Sequence, residues 1–487
     1  MLTLLLIGIP FLAALVLLVV KGTNLKNLAL AFSLIEFAVS VYAYWVYRTE
    51  PTSPLLAHDS VWIRSIGTNF NVSITALSLL MVLLTTFLVP LIILSSFRRG
   101  YNLSNKFYGL ILLMQMALVG VFMANDGFLF YVFWEVALIP IYFICQLWGS
   151  PGTSRVTLRF FIYTFLGSLF MLVGLLYLYN HTGGIEGVKS WNVNALYEAG
   201  RAMNLKEQSC VFWAIFVAFA IKMPIVPFHT WQPDTYVTAP TQGTMLLSGI
   251  MLKMASFGML KWLIPAVPLG LEMWGHLALM LCVIGVVYTS IIAIGQKDYK
   301  RFIAYASVAH VAIIAAGALS LNQQGIQGSI MLMLAHGVNA IGLFFVVEIL
   351  IRYTGTSEIP KLGGIRNLNS NFAMHFFIII LGVIAIPLTN GFVGEFLCLN
   401  GLYQYSPVMA GVAGLSIIFG AVYMLRTYQN IMLGEVKNPD LKMGTLETSE
   451  KITLAIVSLT VLAMGTYPAP LNEIAEIAAK EVLVLIN

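Results

Sequence analysis

Residues Phe219–Trp231 read FAIKMPIVPFHTW, directly after a charge-free run, CVFWAIFVAFAI, at Cys210–Ile221. A lysine closes an apolar run, and two prolines and a histidine stand immediately behind it. Proline removes a backbone donor and its ring clashes with the preceding turn. The stretch therefore predicts a membrane-crossing helix broken at Pro224 and Pro227, beside a buried cation, Lys222.

The rest of the chain agrees with a membrane setting. Of 487 residues, 10% are charged and 59% hydrophobic, and the mean hydropathy is +0.88. A soluble domain carries about 25% charged residues, so a soluble chain this apolar could not cover its own surface. The fold class read from the sequence is an all-α polytopic membrane protein with about fourteen transmembrane helices, one for every ~20 apolar residues. The spans fall near 2–20, 27–47, 72–97, 107–124, 127–148, 158–179, 209–230, 241–263, 273–295, 300–320, 327–351, 372–404, 407–433 and 452–471. The N-terminal run is expected to be a retained first helix, because it lacks a basic leader and is long enough to span. The loops at 48–71, 180–208 and 434–451 are the longest, and none is long enough to be a domain.

Several functions are excluded at this stage. The net charge of +5 is dispersed and contains no basic cluster, so nucleic acid is not expected as a partner. The four cysteines, Cys145, Cys210, Cys282 and Cys398, are isolated in apolar segments. No C-x-x-C pair exists, so no disulfide, iron–sulfur or zinc site is expected. Nucleotide-binding glycine motifs are absent as well. No metal and no cofactor is expected in this chain.

Lysines and arginines set the expected orientation. Sixteen of the 26 fall in odd-numbered loops; seven, Lys261 among them, fall in even loops or the C-terminal tail. Odd loops then face the negative side, and both termini face the positive side.

A second break resembles the first. IAIPLTNGFVGEF, Ile384–Phe396, carries Pro387, Gly391 and Gly394 in front of Glu395. The two breaks lie five spans apart. Paired interruptions at matching positions point to an inverted repeat with ion sites at the breaks, here two five-helix repeats over spans 4–8 and 9–13. The expected units are 1–106, the first three helices; 107–263, the first half-channel repeat; 273–433, its inverted copy; and 434–487, a loop and the last helix.

Charges inside spans mark functional sites by default. Glu135 sits in LFYVFWEVALIPIYF, Lys222 at the first break, Lys253 in LLSGIMLKMASFGML, and Glu395 behind the second break. Two lysines and two glutamates suggest pairing. A buried lysine near a carboxylate gains or loses its proton as neighbours move, which an arginine cannot do. A static salt bridge that fixes helix packing is the competing explanation. His310 and His336, on adjacent spans, are candidate proton relays. His229, after the first break, is a cap or a gate.

These stretches resemble the antiporter-like proton-channel subunits of respiratory complex I. The resemblance is carried by FYVFWEVALIPIYF, FAIKMPIVPFHTWQPDTYVTAPTQGTMLLSGIMLK, KDYKRFIAYASVAHV, AHGVNAIGLFF and GFVGEF, over roughly residues 70 to 435. Glu395 marks the subunit-4-like kind of member; the other two kinds carry lysine there. The absence of a long lateral helix after about residue 471 is expected to agree. The chain departs from the family around Ala-Pro-Thr, in TYVTAPTQGTMLL, and at IPLTNGF. The resemblance implies proton translocation. It assigns Glu135 and Lys222 to the first half-channel, Lys253 to the link and Glu395 to the outer exit. It also implies sister antiporter-like chains on either side, a lipid setting in a bacterial inner membrane, and NADH, FMN, Fe–S clusters and quinone held by partner subunits. A cation/proton antiporter subunit, or a related hydrogenase or photosynthetic complex, is the alternative.

Overall fold

A computed structural model describes residues 1–22, 24–183, 189–437 and 443–486. Lys442, one of the odd-loop cations, and the C-terminal Asn487 lie outside the described residues. Among the described residues, twelve helices are long and apolar enough to cross a membrane. They begin with α1 (Leu2–Val19), α2 (Leu25–Thr49), α3 (Ala76–Ser95), α4 (Ser104–Met123), α5 (Gly127–Trp148) and α6 (Thr153–Asn180). After a short α7 (Val193–Ala202), the seventh crossing is interrupted: α8 (Leu205–Lys222) stops and α9 (Trp231–Thr238) resumes. The eighth, Thr241–Leu263, is continuous. It contains α10 (Thr241–Leu246) and α11 (Lys253–Gly258), with wide π-turns at Leu247–Met251 and Met259–Leu263.

The second half follows with α12 (Pro268–Ile294), α13 (Tyr299–Leu319) and α14 (Gln323–Thr354). A one-turn α15 (Ile365–Leu368) leads into α16 (Ser370–Val383) and α17 (Asn390–Tyr405), the two halves of the other interrupted crossing. Then come α18 (Pro407–Met432), α19 (Thr448–Thr466) and α20 (Ala469–Ile486). These twelve and the two interrupted crossings make up the fourteen spans read from the sequence, and both breaks fall where it placed them.

The centre of the bundle is α14. Its 32 residues reach about 48 Å at 1.5 Å per residue, longer than a hydrocarbon core of about 30 Å. It is buried from Gly325 to Leu350. Peripheral α1, α2 and α6 expose alternate leucines, valines and aromatics along one face, as a lipid-facing helix must. In lipid no hydrophobic force pulls one helix to another, so close packing relies on small residues. A methyl on Gly328 would stand 2.4 Å from Cys398 N, and one on Gly401 would stand 2.4 Å from Gly325 Cα. These glycines seat α17 against α14.

Two segments carry structure that the sequence reading did not assign, and one placement, that of Lys261, is corrected. The loop at 48–71 carries a hairpin: β1 (Ala57–Ile63) pairs antiparallel with β2 (Thr68–Ser73), turning through Gly67 at φ +64°. Asn69–Ile74, NFNVSI, alternates polar and apolar with period two, which is the signal of a strand. Asp126 ties this hairpin to α5. It caps the helix by accepting from Phe128 N and Leu129 N, and its carboxylate also accepts from Thr68 Oγ1 and Asn69 N. Burial pushes the Asp126 carboxyl above the usual range, and the four donors pull the other way.

The tail after residue 471 is helical. The buried stripe of α20 is Ile474, Ala475, Ala478, Ala479 and Val482, a helical period. This 18-residue helix packs on α3 and α14. Lys261, expected in a loop, lies within the eighth crossing. Its Nζ donates to Ala124 O at 2.8 Å and Asn125 Oδ1 at 2.6 Å. A cavity of about 320 Å³ beside it is lined in part by α20, whose Glu481 carboxyl is pushed up by burial.

Candidate functional site

The two breaks solve the same problem in different ways. A broken helix leaves backbone groups without partners, and in a membrane these must be satisfied inside the protein. At the first break, Pro224 and Pro227 end α8; the indole Nε1 of Trp231 turns back and donates to Ile221 O at 2.8 Å. His229 follows, its ring edge-on to Tyr288 at 5.6 Å between centroids, with Nδ1 unpartnered among the described residues. At the second break, Thr389 Oγ1 donates to Leu381 O at 3.3 Å and to Ile386 O at 2.6 Å. Ala385 and Leu388, flanking Pro387, sit at φ +55° and +73°, a conformation costing a non-glycine residue roughly 1–2 kcal/mol each. Gly391 is required by contact, since a methyl there would lie 2.2 Å from Gly382 O. At Gly394 it would lie 2.5 Å from Leu332 N.

Lys222, Lys253 and Glu395 are nearly completely buried, and Glu135 is half-buried. A charged side chain at mid-membrane costs about 2.5–3.5 kcal/mol on insertion scales. The expected glutamate–lysine contacts are not made: among the described residues no two of these four groups stand within ion-pair distance. Glu135, on α5, neighbours Tyr131, Ser168 on α6 and Lys222 on α8. The Lys222 ammonium instead lies 5.6 Å from the centroid of the Trp134 ring, a cation–π contact.

Lys253 opens α11, between the two π-turns. Wide turns loosen the regular helix ladder and recur at functional sites. Here Ser248 O, within the first of them, accepts from Lys253 Nζ at 2.7 Å. The same Nζ lies 2.7 Å from His336 Nδ1. His336 Nε2 lies 3.0 Å from Ser307 Oγ, and the His310 ring is 6.2 Å from that of His336. So the link runs lysine, histidine, serine, with the second histidine alongside. A narrow cavity, leaving about 20 Å³ to the centre of a water molecule, continues from His310 and His336 to Glu395. Glu395 accepts from Ser416 Oγ of α18 at 3.1 Å.

Sequence reasoning missed the uncharged members of this series. Ser307 precedes His310 by three residues, and Asn339 follows His336 by three, so each shares its helix face with a histidine. Polar residues at that spacing in apolar spans were the available signal. The π-turns had none. Among the described residues no group of three histidine, cysteine or acidic side chains is placed to hold a metal ion.

The family model described as NADH:quinone oxidoreductase/Mrp antiporter, TM, matches residues 124–420. The chain belongs to that family. All four buried charges and both breaks lie within the matched segment; the hairpin and α20 lie outside it. Among relatives of this family, NADH-quinone oxidoreductase subunit M of Rickettsia conorii is 35% identical over 465 residues, covering 95% of this chain and 93% of the relative. NADH-ubiquinone oxidoreductase chain 4 of Marchantia polymorpha is 34% identical over 469 residues, covering 95% and 93%. A chain of respiratory complex I from Thermus thermophilus superposes with a TM-score of 0.92 at 29% identity, over 100% of both chains. The Mrp complex from Dietzia shares the fold, with a TM-score of 0.86 at 18% identity over 98% of this chain and 52% of the other.

Proposed function

We propose that this family member is a proton-translocating membrane-arm subunit of an NADH–quinone oxidoreductase, and that it moves protons through the buried series while redox chemistry proceeds in partner subunits. The observation that carries this reading is the unbroken polar line Lys253–His336–Ser307, with His310 and a small cavity leading on to Glu395, strung between two interrupted helices. Glu135 and Lys222 form the uptake pair of the first half-channel, Lys253 the link, and Glu395 the exit. On this reading residues 107–263 and 273–433 are the two inverted half-channels, and NADH, FMN, Fe–S clusters and quinone belong to other subunits. The partners are the other membrane-arm chains, with sister antiporter-like chains on either side. The setting is a bacterial inner membrane with both termini on the positive side. A cation/proton antiporter subunit is the weaker alternative, because the Mrp likeness stands at 18% identity and the subunit M likeness at 35%.

The test is made at Glu395. Glu395→Gln keeps the shape and cannot ionise, so the assembled complex is expected to lose proton pumping through this subunit. Glu395→Lys keeps a titratable group and should retain more activity than the glutamine form. Wild-type pumping by an assembled glutamine variant would make Glu395 a packing residue and overturn the proposed exit.

A further inference from the structure

Glu36 lies on α2, away from the buried series, and is 0% exposed. Neither of its carboxyl oxygens has a hydrogen-bond partner among the described residues. Most buried polar groups are paired, and an exception calls for a physical reason. No cation of the surrounding bundle faces it. The basic residues of α1–α4 are Lys26, Arg48 and Lys106, each in the first or last turn of its helix. A carboxyl group buried in hydrocarbon with neither cation nor donor is carried as the neutral acid. Its O–H is then a donor that needs an acceptor.

The register of α2 against α3 supplies one. Ser40 Oγ and Thr86 Oγ1 are 2.7 Å apart, and the Phe37 and Phe87 rings meet at 5.7 Å between centroids. The two helices are consecutive crossings and run antiparallel. Glu36 stands four residues before Ser40, and Pro90 four residues after Thr86. Both therefore lie at one level, about 6 Å along the bundle from the serine–threonine contact at 1.5 Å per residue. Pro90 is inside α3 and has no N–H to give to the carbonyl four residues back. That carbonyl is Thr86 O, and in a membrane a freed carbonyl must be satisfied within the protein. The nearby hydroxyls are engaged elsewhere: Thr86 Oγ1 donates to Val82 O at 3.0 Å, and Ser40 Oγ to Phe37 O at 2.7 Å.

The same helix abuts the central link. A methyl on Gly337 would stand 3.0 Å from Leu84 Cδ1, and one on Gly249 would stand 3.6 Å from Leu88 Cδ1. Gly337 follows His336, and Gly249 follows Ser248, whose carbonyl accepts from Lys253. We propose that the Glu36 carboxylic acid donates to Thr86 O in the gap left by Pro90, and that it thereby positions the Lys253–His336 link through α3. The bond replaces a missing rung of α3 with one from α2. Leu84 and Leu88 then stay seated against the two glycines, and Lys253 Nζ stays 2.7 Å from His336 Nδ1, within the reach that proton transfer requires. Glu36 is a positioning residue: it keeps its own proton and touches no group of the series.

This inference rests on the proton-channel reading, and its test separates the two. In the assembled complex, Glu36→Leu removes the donor, and pumping is expected to fall at least about tenfold, as it does when reacting groups are misplaced. Glu36→Gln keeps a donor and should recover most of the loss. Pro90→Ala gives Thr86 O a backbone N–H, so the double variant Glu36→Leu with Pro90→Ala should pump again, which a merely space-filling role for Glu36 would not produce. Glu395→Gln is run beside them. If it abolishes pumping while Glu36→Leu pumps normally, the positioning role is wrong and the channel stands. Failure of Pro90→Ala to restore pumping also overturns the proposal, because the Thr86 carbonyl is then not what Glu36 serves. Infrared difference spectra of wild-type and Glu36→Gln complexes give a readout that depends neither on pumping nor on the leucine form assembling. The glutamine form is expected to lose one band of a hydrogen-bonded carboxylic acid, and in Pro90→Ala that band should move toward the position of a free acid. Loss of a carboxylate band, or of no band, overturns the proposal.

Discussion

Replacing Lys253 with arginine separates the charge of this residue from its ability to lose a proton. Lys253 Nζ and His336 Nδ1 are 2.7 Å apart. Two unit charges at that distance repel by about 6 kcal/mol at an effective dielectric constant near 20. The wild-type pair therefore carries one proton between them, and a proton arriving at His336 must be matched by one leaving Lys253. Arginine stays cationic at any working pH. A proton crossing His336 in the arginine variant would have to coexist with that fixed charge. At 1.36 kcal/mol per decade, a penalty of this size slows the step by about 10⁴-fold. Lys253→Arg should thus assemble, because charge and donor are kept, yet fail to pump through this subunit. The assay is proton pumping in reconstituted vesicles, with complex content measured separately. Wild-type pumping in the arginine variant would mean that a static positive charge is all the site needs, and the shared-proton argument would fall.

Three further outcomes are expected. Lys222→Ala should leave the complex assembled but impair pumping, with quinone reduction falling alongside; normal pumping rates would make the Trp134 contact purely structural. Asp126→Ala removes a buried acceptor of four hydrogen bonds and should cost about 2 kcal/mol locally. Hydrogen exchange at residues 68–73 should then rise by roughly thirtyfold, and unchanged exchange would show that the hairpin is held by something else. A reporter fused to the C-terminus should be active only on the positive side of the membrane, and activity on the cytoplasmic side would reverse the assigned orientation.

The membrane class, the number of crossings and the two breaks were legible in the sequence because each rests on local physics. Apolar run length is set by bilayer thickness, and Pro224, Pro227 and Pro387 interrupt a helix wherever they occur. The charged residues were legible for a similar reason, since Glu135, Lys222, Lys253 and Glu395 stand out against apolar neighbours. The hairpin at 57–73 and the stripe of α20 were also written in their periodicities, though the sequence reading assigned no structure there. Partnership was a different matter. Lys253 meets His336, 83 residues away, and not a carboxylate; Glu395 meets Ser416 and not a lysine. Lys261 is drawn inside by Ala124 and Asn125, more than a hundred residues earlier in the chain. Contacts between helices depend on which faces pack together, and in lipid those faces are chosen by small residues and shape, so only the assembled bundle decides which polar groups meet.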